Sequence, residues 1–297
     1  MAISINNSAN LLMIQQALAN ANNALSKNFQ RLSSGVKINS AGDGSSALAT
    51  AMRLSTQVSG MDMATKNAND ALSLVQVADT ALSETAGALQ QVRNLALVAT
   101  SGTASSTDRA ILNADVKGLI YEISHLATST STFGQTLLNG DFAIGVQVGA
   151  NPGQNVAIAL GGASLQQLGL GVSGSKLNVS TIGSASAAIA TVDTALQSVS
   201  VLRASLGTMQ SRLAGIVQAL GVTSLGYNSA RSSLMDTDYA TESASLMRNN
   251  IQRQVSLAML AQANMQSQVL LKLLDSANSS NGYGHSNSYS QNNSNSG

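Results

Sequence analysis

With 297 residues and 44% apolar content the chain is long enough for one large domain or two smaller ones around a sizeable core. Only 10% of its residues are charged, against roughly 25% in an average soluble domain. A net charge of +1 without any Lys/Arg cluster excludes the electrostatic footprint of a nucleic-acid binder, and the absence of cysteine excludes disulfides and thiolate chemistry. So little charge gives little repulsion between copies, which points to a surface buried against itself.

The N-terminus, Met1-Ala2-Ile3-Ser4-Ile5-Asn6-Asn7, lacks the basic start and apolar run of a secretory signal, and no later stretch reaches ~18 uninterrupted apolar residues. The expectation is a soluble chain without a membrane partner, leaving the cell, if at all, by a dedicated route. Leu11, Ile14, Leu18, Ala21, Leu25, Phe29 and Leu32 recur at spacings of three and four, the stripe of an amphipathic helix that needs a partner. Ser33-Ser34-Gly35 should interrupt it, and the turn-rich 39–46 should start a second helix. That helix continues through Met52, Val58, Met61, Leu72, Leu82 and Leu95 without proline; at 1.5 Å per residue about fifty residues make a rod some 75 Å long. After a polar loop at 101–107, Ile111, Ala114, Leu119, Ile123 and Leu126 stripe a third helix.

The period then changes to two. Phe142, Ile144, Val146 and Val148 alternate with small or polar residues, Asn151-Pro152-Gly153 makes a turn, and Val156, Ile158 and Leu160 alternate again, which predicts a β-hairpin. The Gly- and Ser-rich 161–184 leads back to helix, its Gly-rich part at 161–174 reading as a flexible connector, with another short strand expected around 177–182. It lacks the Lys-Ser or Lys-Thr of a phosphate-binding loop. From Ala195 the alternation of four and three runs through Val199, Leu202, Leu206, Met209, Leu213, Ile216 and Leu220; Gly207, Gly215, Gly221 and Gly226 weaken that helix unless packing overrides them. Asp236 and Asp238 look like N-caps of a last helix striped by Met247, Ile251, Val255, Ala258, Ala261, Met265, Val269 and Leu273. Neither terminal stripe has a local partner, so the two chain ends are expected to pair as a coiled coil. Residues 275–297, nearly all Ser, Asn, Gly and Tyr, read as a disordered tail.

The fold class is therefore mainly α: long antiparallel helices forming a rod with a small β-hairpin region around 140–182. The expected organisation is a terminal helical domain of 1–42 with 236–274, and a core of 43–235. No catalytic constellation emerges. His125 and His285 are the only histidines, too few for a metal cluster or a triad, and helix capping explains Asp236 and Asp238 better than acid–base chemistry does. Catalytic residues, metal and cofactor are all expected to be none. Ten methionines on apolar stripes read as core, and Arg31, Arg93 and Arg231 as polar links between copies or solvated helix faces.

Gln30-Arg31-Leu32-Ser33-Ser34-Gly35-Val36-Lys37-Ile38-Asn39-Ser40-Ala41 resembles the N-terminal signature of bacterial flagellins, and Asn67-Ala68-Asn69-Asp70-Ala71 a stretch of their long second helix. Asp236-Thr237-Asp238-Tyr239-Ala240-Thr241-Glu242 resembles their C-terminal signature, with Leu260-Ala261-Gln262-Ala263-Asn264 after it. The resemblance spans 1–140 and 195–274. It implies a non-enzymatic, secreted subunit that polymerises with copies of itself into the filament of the bacterial flagellum for motility. The ends would be unfolded in the monomer and form the filament's inner tube, through Leu11, Ile14, Leu18, Leu25, Phe29 and Leu32 and through Ile251, Val255, Ala258, Met265, Val269 and Leu273. It also implies type III export, a flagellar export chaperone on the C-terminal helix, and addition beneath a filament cap. A hook–filament junction protein or a surface adhesin of the same family is the alternative.

The departures carry information too. The short 139–182 leaves no room for an outer domain, so the filament should be thin and smooth. Gly42-Asp43-Gly44-Ser45 replaces the family's Lys-Asp-Asp-Ala, and the tail extends past Leu274, where the family usually ends. The segment that faces an innate immune receptor in the family is matched by Gln90, Gln91, Arg93 and Leu95. Gln91 and Asn94 replace charged residues there and Asp115 replaces Glu, which weakens the implied receptor contact.

Overall fold

A computed structural model describes residues 8–171 and 176–281. It contains helices α1 (Ser8–Ser34), α2 (Ala41–Thr100), α3 (Ser106–Ser129), α4 (Ile182–Met235) and α5 (Tyr239–Asn281), and strands β1 (Ser131–Thr132), β2 (Gln135–Thr136), β3 (Ala143–Gln147) and β4 (Asn155–Ala159). The chain divides into two compact units: Met1–Thr50 with Ser232–Gly297, and Ala51–Arg231.

The Ala51–Arg231 unit closes its own core. Small and branched residues at helical spacing on α2, among them Ala71, Val75, Ala78, Leu82, Leu89 and Val92, are buried with Val116, Ile120 and Ile123 of α3 and Val192, Ala195, Val199, Leu206 and Leu213 of α4. Alanine and valine at so many of these positions let helices approach closely. Two ion pairs tie α2 to α4 in antiparallel register: Arg203 Nε to Asp79 Oδ1 at 2.9 Å and Arg93 Nε to Asp193 Oδ1 at 2.6 Å. Hydrogen bonding to these carboxylates raises both guanidinium pKa values. Half-exposed pairs of this kind contribute more to register than to stability. By length and composition α4 would also pass for a membrane span, but its apolar stripe faces this core. Its glycines at 207, 215, 221 and 226 stand in open space, and burial of Leu206, Leu213 and Leu220 offsets their propensity cost of about 1 kcal/mol each.

The start of α3 is a reciprocal cap: Ser105 Oγ accepts from the Asp108 N–H at 3.1 Å and Asp108 Oδ2 accepts from the Ser105 N–H at 2.9 Å. The hairpin expected from the alternating run is β3–β4, antiparallel, with Ile144 opposite Ile158 and Val146 opposite Val156. Its loop packs close to α2: a Cβ on Gly60 would lie 2.7 Å from Ala150 Cβ. A second, smaller hairpin, β1–β2, turns through Phe133 and Gly134, both at positive φ, and was not foreseen from the residues.

Two expectations are corrected in this unit. No strand forms around 177–182, where Leu177 and Val179 enter the core from irregular backbone. Nor is the described part of the expected connector, 161–171, merely flexible. Ala163, Leu165, Leu168 and Leu170 are buried, and the Gln167 side chain fills the space beside Gly140 and Gly162, so the glycines allow a folded segment to turn tightly over the helices. In the other unit, α5 continues past Leu274 to Asn281, through the first part of the stretch read as a disordered tail. The remainder, 282–297, lies outside the described residues.

Candidate self-assembly surface

The α1 and α5 helices pair antiparallel. At the end of α1, Leu32 O accepts from Tyr239 Oη at 3.1 Å, and Arg31 Nη1 lies 3.7 Å from Glu242 Oε2, both partners being at the start of α5. Nearer the beginning of α1, Met13, Ile14 and Ala17 share a groove with Val255, Met259 and Ala263 of α5. With its amide oriented by its hydrogen bonds, buried Asn28 donates to Ala24 O at 2.6 Å and accepts from the Leu246 N–H at 2.9 Å.

The connectors beside this pair clasp each other. Gly35, at φ 73°, ends α1 with its N–H on Arg31 O at 2.9 Å, a left-handed cap that suits glycine. Its carbonyl then accepts from the Thr237 N–H at 2.9 Å, Lys37 N–H donates to Met235 O at 2.7 Å, and Val36 forms an antiparallel bridge with Asp236. Lys37 Nζ adds a bond to Ser233 O at 3.2 Å. The 30–41 and 236–242 motifs, two hundred residues apart in sequence, are thus one structural feature.

Carboxylates start the helices on either side. The Asp238 side chain accepts from the Thr241 hydroxyl at 2.7 Å and the Ala240 N–H at 2.9 Å, bonds that hold its pKa below the ordinary value, the hydroxyl bond contributing most. Asp43 accepts from the Ser40 hydroxyl at 2.9 Å and the Ser40 N–H at 3.0 Å, with the same effect on its pKa and the same leading cause. Asp236 does not cap α5: its carboxylate accepts from Ser232 Oγ and its backbone pairs with Val36.

The apolar residues divide in an unexpected way. Along α1, Leu11, Ile14, Leu18, Leu25 and Leu32 are buried or half-buried, but the stripe passes through Asn28, 5% exposed, while Phe29 is 60% exposed. On α5 the least exposed side chains include Glu242, Leu246, Asn249, Ser256, Leu260 and Ala263, a seam of mixed polar and apolar residues. The stripe read from the sequence lies elsewhere: Ile251, Val255, Met265, Val269 and Leu273 are between 53% and 60% exposed, and Ala258 is exposed as well. The α1–α5 pairing therefore leaves the more apolar side of α5 bare.

In the Ala51–Arg231 unit, Gln90, Gln91 and Asp115 are exposed, Leu95 packs against the core and Arg93 is bound to Asp193. Arg31 likewise pairs within the chain, and Arg231 is exposed. His125 sits on α3 with Nδ1 3.4 Å from Ser129 Oγ, and His285 lies outside the described residues. Among the described residues no three of His, Cys, Asp and Glu gather as a metal site.

Comparison with known proteins agrees with this geometry. The model of the bacterial flagellin N-terminal helical region matches residues 5–143, and that of the bacterial flagellin C-terminal helical region matches 189–274. A flagellar filament 30.7 kDa core protein of Treponema maltophilum is 36% identical over 271 residues, 87% of this chain and 95% of the relative. Flagellin B of Vibrio cholerae is 29% identical across 89% of this chain and 97% of its own. A solved structure described as that of a flagellar hook-associated protein from Vibrio parahaemolyticus superposes with a TM-score of 0.56 at 16% identity, over 65% of this chain and 100% of that one, a likeness of fold alone.

Proposed function

Because the chain belongs to the bacterial flagellin family, we propose that it is a structural subunit of a flagellar filament, joined to copies of itself through the sides of α1 and α5 that its own fold leaves bare. The observation that carries this reading is the exposed row Ile251, Val255, Met265, Val269 and Leu273, with Phe29 on α1. Burying the exposed half of each such side chain gains about 1–2 kcal/mol, and an apolar strip along a helix is a docking surface rather than an ordinary solvated face. Residues 1–42 and 236–274 are then the polymerising part and 43–235 the part that holds its shape. The relatives' names, flagellar filament core protein and flagellin, favour the filament over the hook–filament junction.

The same strip supports the remaining steps. A subunit carrying it in the cytoplasm needs a cover, which fits an export chaperone on α5, followed by secretion and addition at the filament tip beneath a cap. Immune-receptor recognition through Gln90, Gln91, Arg93, Leu95 and Asp115 has less behind it, since Arg93 is taken up by Asp193. A reporter-cell assay without a response would remove it.

Seeded growth tests the subunit reading: purified chain is added to short filament fragments and followed by electron microscopy, beside a chain truncated after Leu274. Elongation by both is the expected result, and failure of both would refute it. Elongation by the truncated chain alone would mean that 275–297 obstructs assembly.

A further inference from the structure

The chain has no cysteine, so methionine is its only oxidisable sulfur. Met61 is 8% exposed, packed with Ala64 and Leu220, but Met13, Met52, Met63, Met247, Met259 and Met265 are between 53% and 64% exposed. Two of these line a single groove. Met13 on α1 and Met259 on α5 stand in it with Ile14, Ala17, Val255 and Ala263. A thioether there is adaptable and apolar, suited to docking, and it is also open to reagents in solution before docking occurs. The groove wall also includes Gln262 and Gln266.

We propose that Met13 and Met259 form an oxidant-sensitive modification site, at which hydrogen peroxide converts both thioethers to sulfoxides and so prevents a second copy of the chain from covering the groove. The inference rests on the filament-subunit reading above. At each sulfur, a lone pair attacks one peroxide oxygen, the O–O bond breaks, an S=O bond forms and water leaves. The methionine loses two electrons and the peroxide gains them. The product is a polar acceptor solvated by water, so covering it strips those hydrogen bonds where the thioether had none to lose. Methionine sulfoxide reductases acting on both sulfoxide epimers, supplied with a dithiol that is oxidised to its disulfide while the sulfoxide oxygen leaves as water, reverse the change. Once the groove is covered in the polymer, its sulfurs are shielded, so the sensitivity belongs to the free subunit.

The test treats the full chain with graded hydrogen peroxide, maps sulfoxides by peptide mass spectrometry, and measures elongation from untreated seeds. The comparison is a chain carrying Met13→Leu and Met259→Leu, near-isosteric changes that remove both sulfurs, with elongation of each chain after treatment read as a fraction of that same chain's own untreated rate. At the dose that oxidises Met13 and Met259 but spares Met61, wild-type elongation should fall about tenfold, the reductases should restore it, and the double variant should hold its rate. Undiminished elongation of wild-type chain with both groove methionines oxidised would overturn the proposal. So would an equal loss in the double variant, which would place the sensitivity at another methionine. If untreated wild-type chain did not elongate, the subunit reading itself would fail, and this inference with it.

Discussion

In the Ala51–Arg231 unit, Leu82, Leu89, Val92, Ile123, Ile158 and Leu213 are at most 1% exposed. In the Met1–Thr50 and Ser232–Gly297 unit, the buried apolar residues among those described are Ala21, Leu25, Ile38 and Ala263, while Met13, Phe29, Met247, Ile251, Met259 and Leu273 are all more than half exposed. One unit surrounds its apolar stripes with its own α2, α3 and α4, whereas the other has two helices, α1 and α5, to share between more than two apolar faces. A pair of helices buries one side of each. The ordering entropy of the remaining turns has to be offset by something outside the chain, and in a filament subunit that is the next copy.

The contrast can be broken first at the closed core. Leu89→Ala empties a fully buried site and should lower unfolding stability by about 2–5 kcal/mol, measured by denaturant titration. Gly60→Ala drives a methyl into Ala150 and should cost about 1–3 kcal/mol in the same measurement. Tyr239→Phe removes one bond to Leu32 O, partly replaced by water, and should cost about 0.5–1.5 kcal/mol at most, read from the unfolding of α1 and α5. Ile251→Ala should change the free chain by less than about 0.5 kcal/mol, yet slow seeded elongation severalfold, because its side chain is 60% exposed until a neighbour covers it. The smallest effect concerns pH. Asp238 has a folded pKa below the ordinary 3.8, so its contribution to the start of α5 is complete above that value and is lost as pH falls through the folded pKa. Helicity followed by circular dichroism should therefore show no change from this group between about pH 5 and 8, and a loss below about pH 4 that Asp238→Asn abolishes.

The helices were legible because stripes, breakers and caps agreed: α1 ends at Gly35 and α5 opens behind Asp238, whereas the Ser105 cap of α3 lay inside the stretch read as a polar loop. The hairpin was legible because its period changes to two around a Pro-Gly turn. What the stripes do not encode is which face meets which partner. The most apolar side of α5 was expected to meet α1, but the least exposed positions form a mixed seam of Glu242, Leu246, Asn249, Ser256, Leu260 and Ala263, and the phase of α1 shifts from Phe29 to Asn28. Periodicity assigns a face its hydrophobicity, whereas a chain that expects neighbours can hold its best face in reserve. The clasp of Gly35, Val36 and Lys37 with Met235, Asp236 and Thr237 was invisible for another reason: it is made by backbone groups, which every residue carries. The folding of 161–171 was hidden by its glycines, whose flexibility outweighed the signal of Leu165, Leu168 and Leu170.

Amide hydrogen exchange, compared between free chain and assembled filament, reads the two units separately. The prediction is that α1 and α5 exchange quickly in the free chain and become strongly protected in the filament, whereas the buried turns of α2, α3 and α4 around Leu89, Ile123 and Leu206 are protected in both. Equal protection of α1 and α5 in the two states would contradict it, because the pair would then be complete without its neighbours.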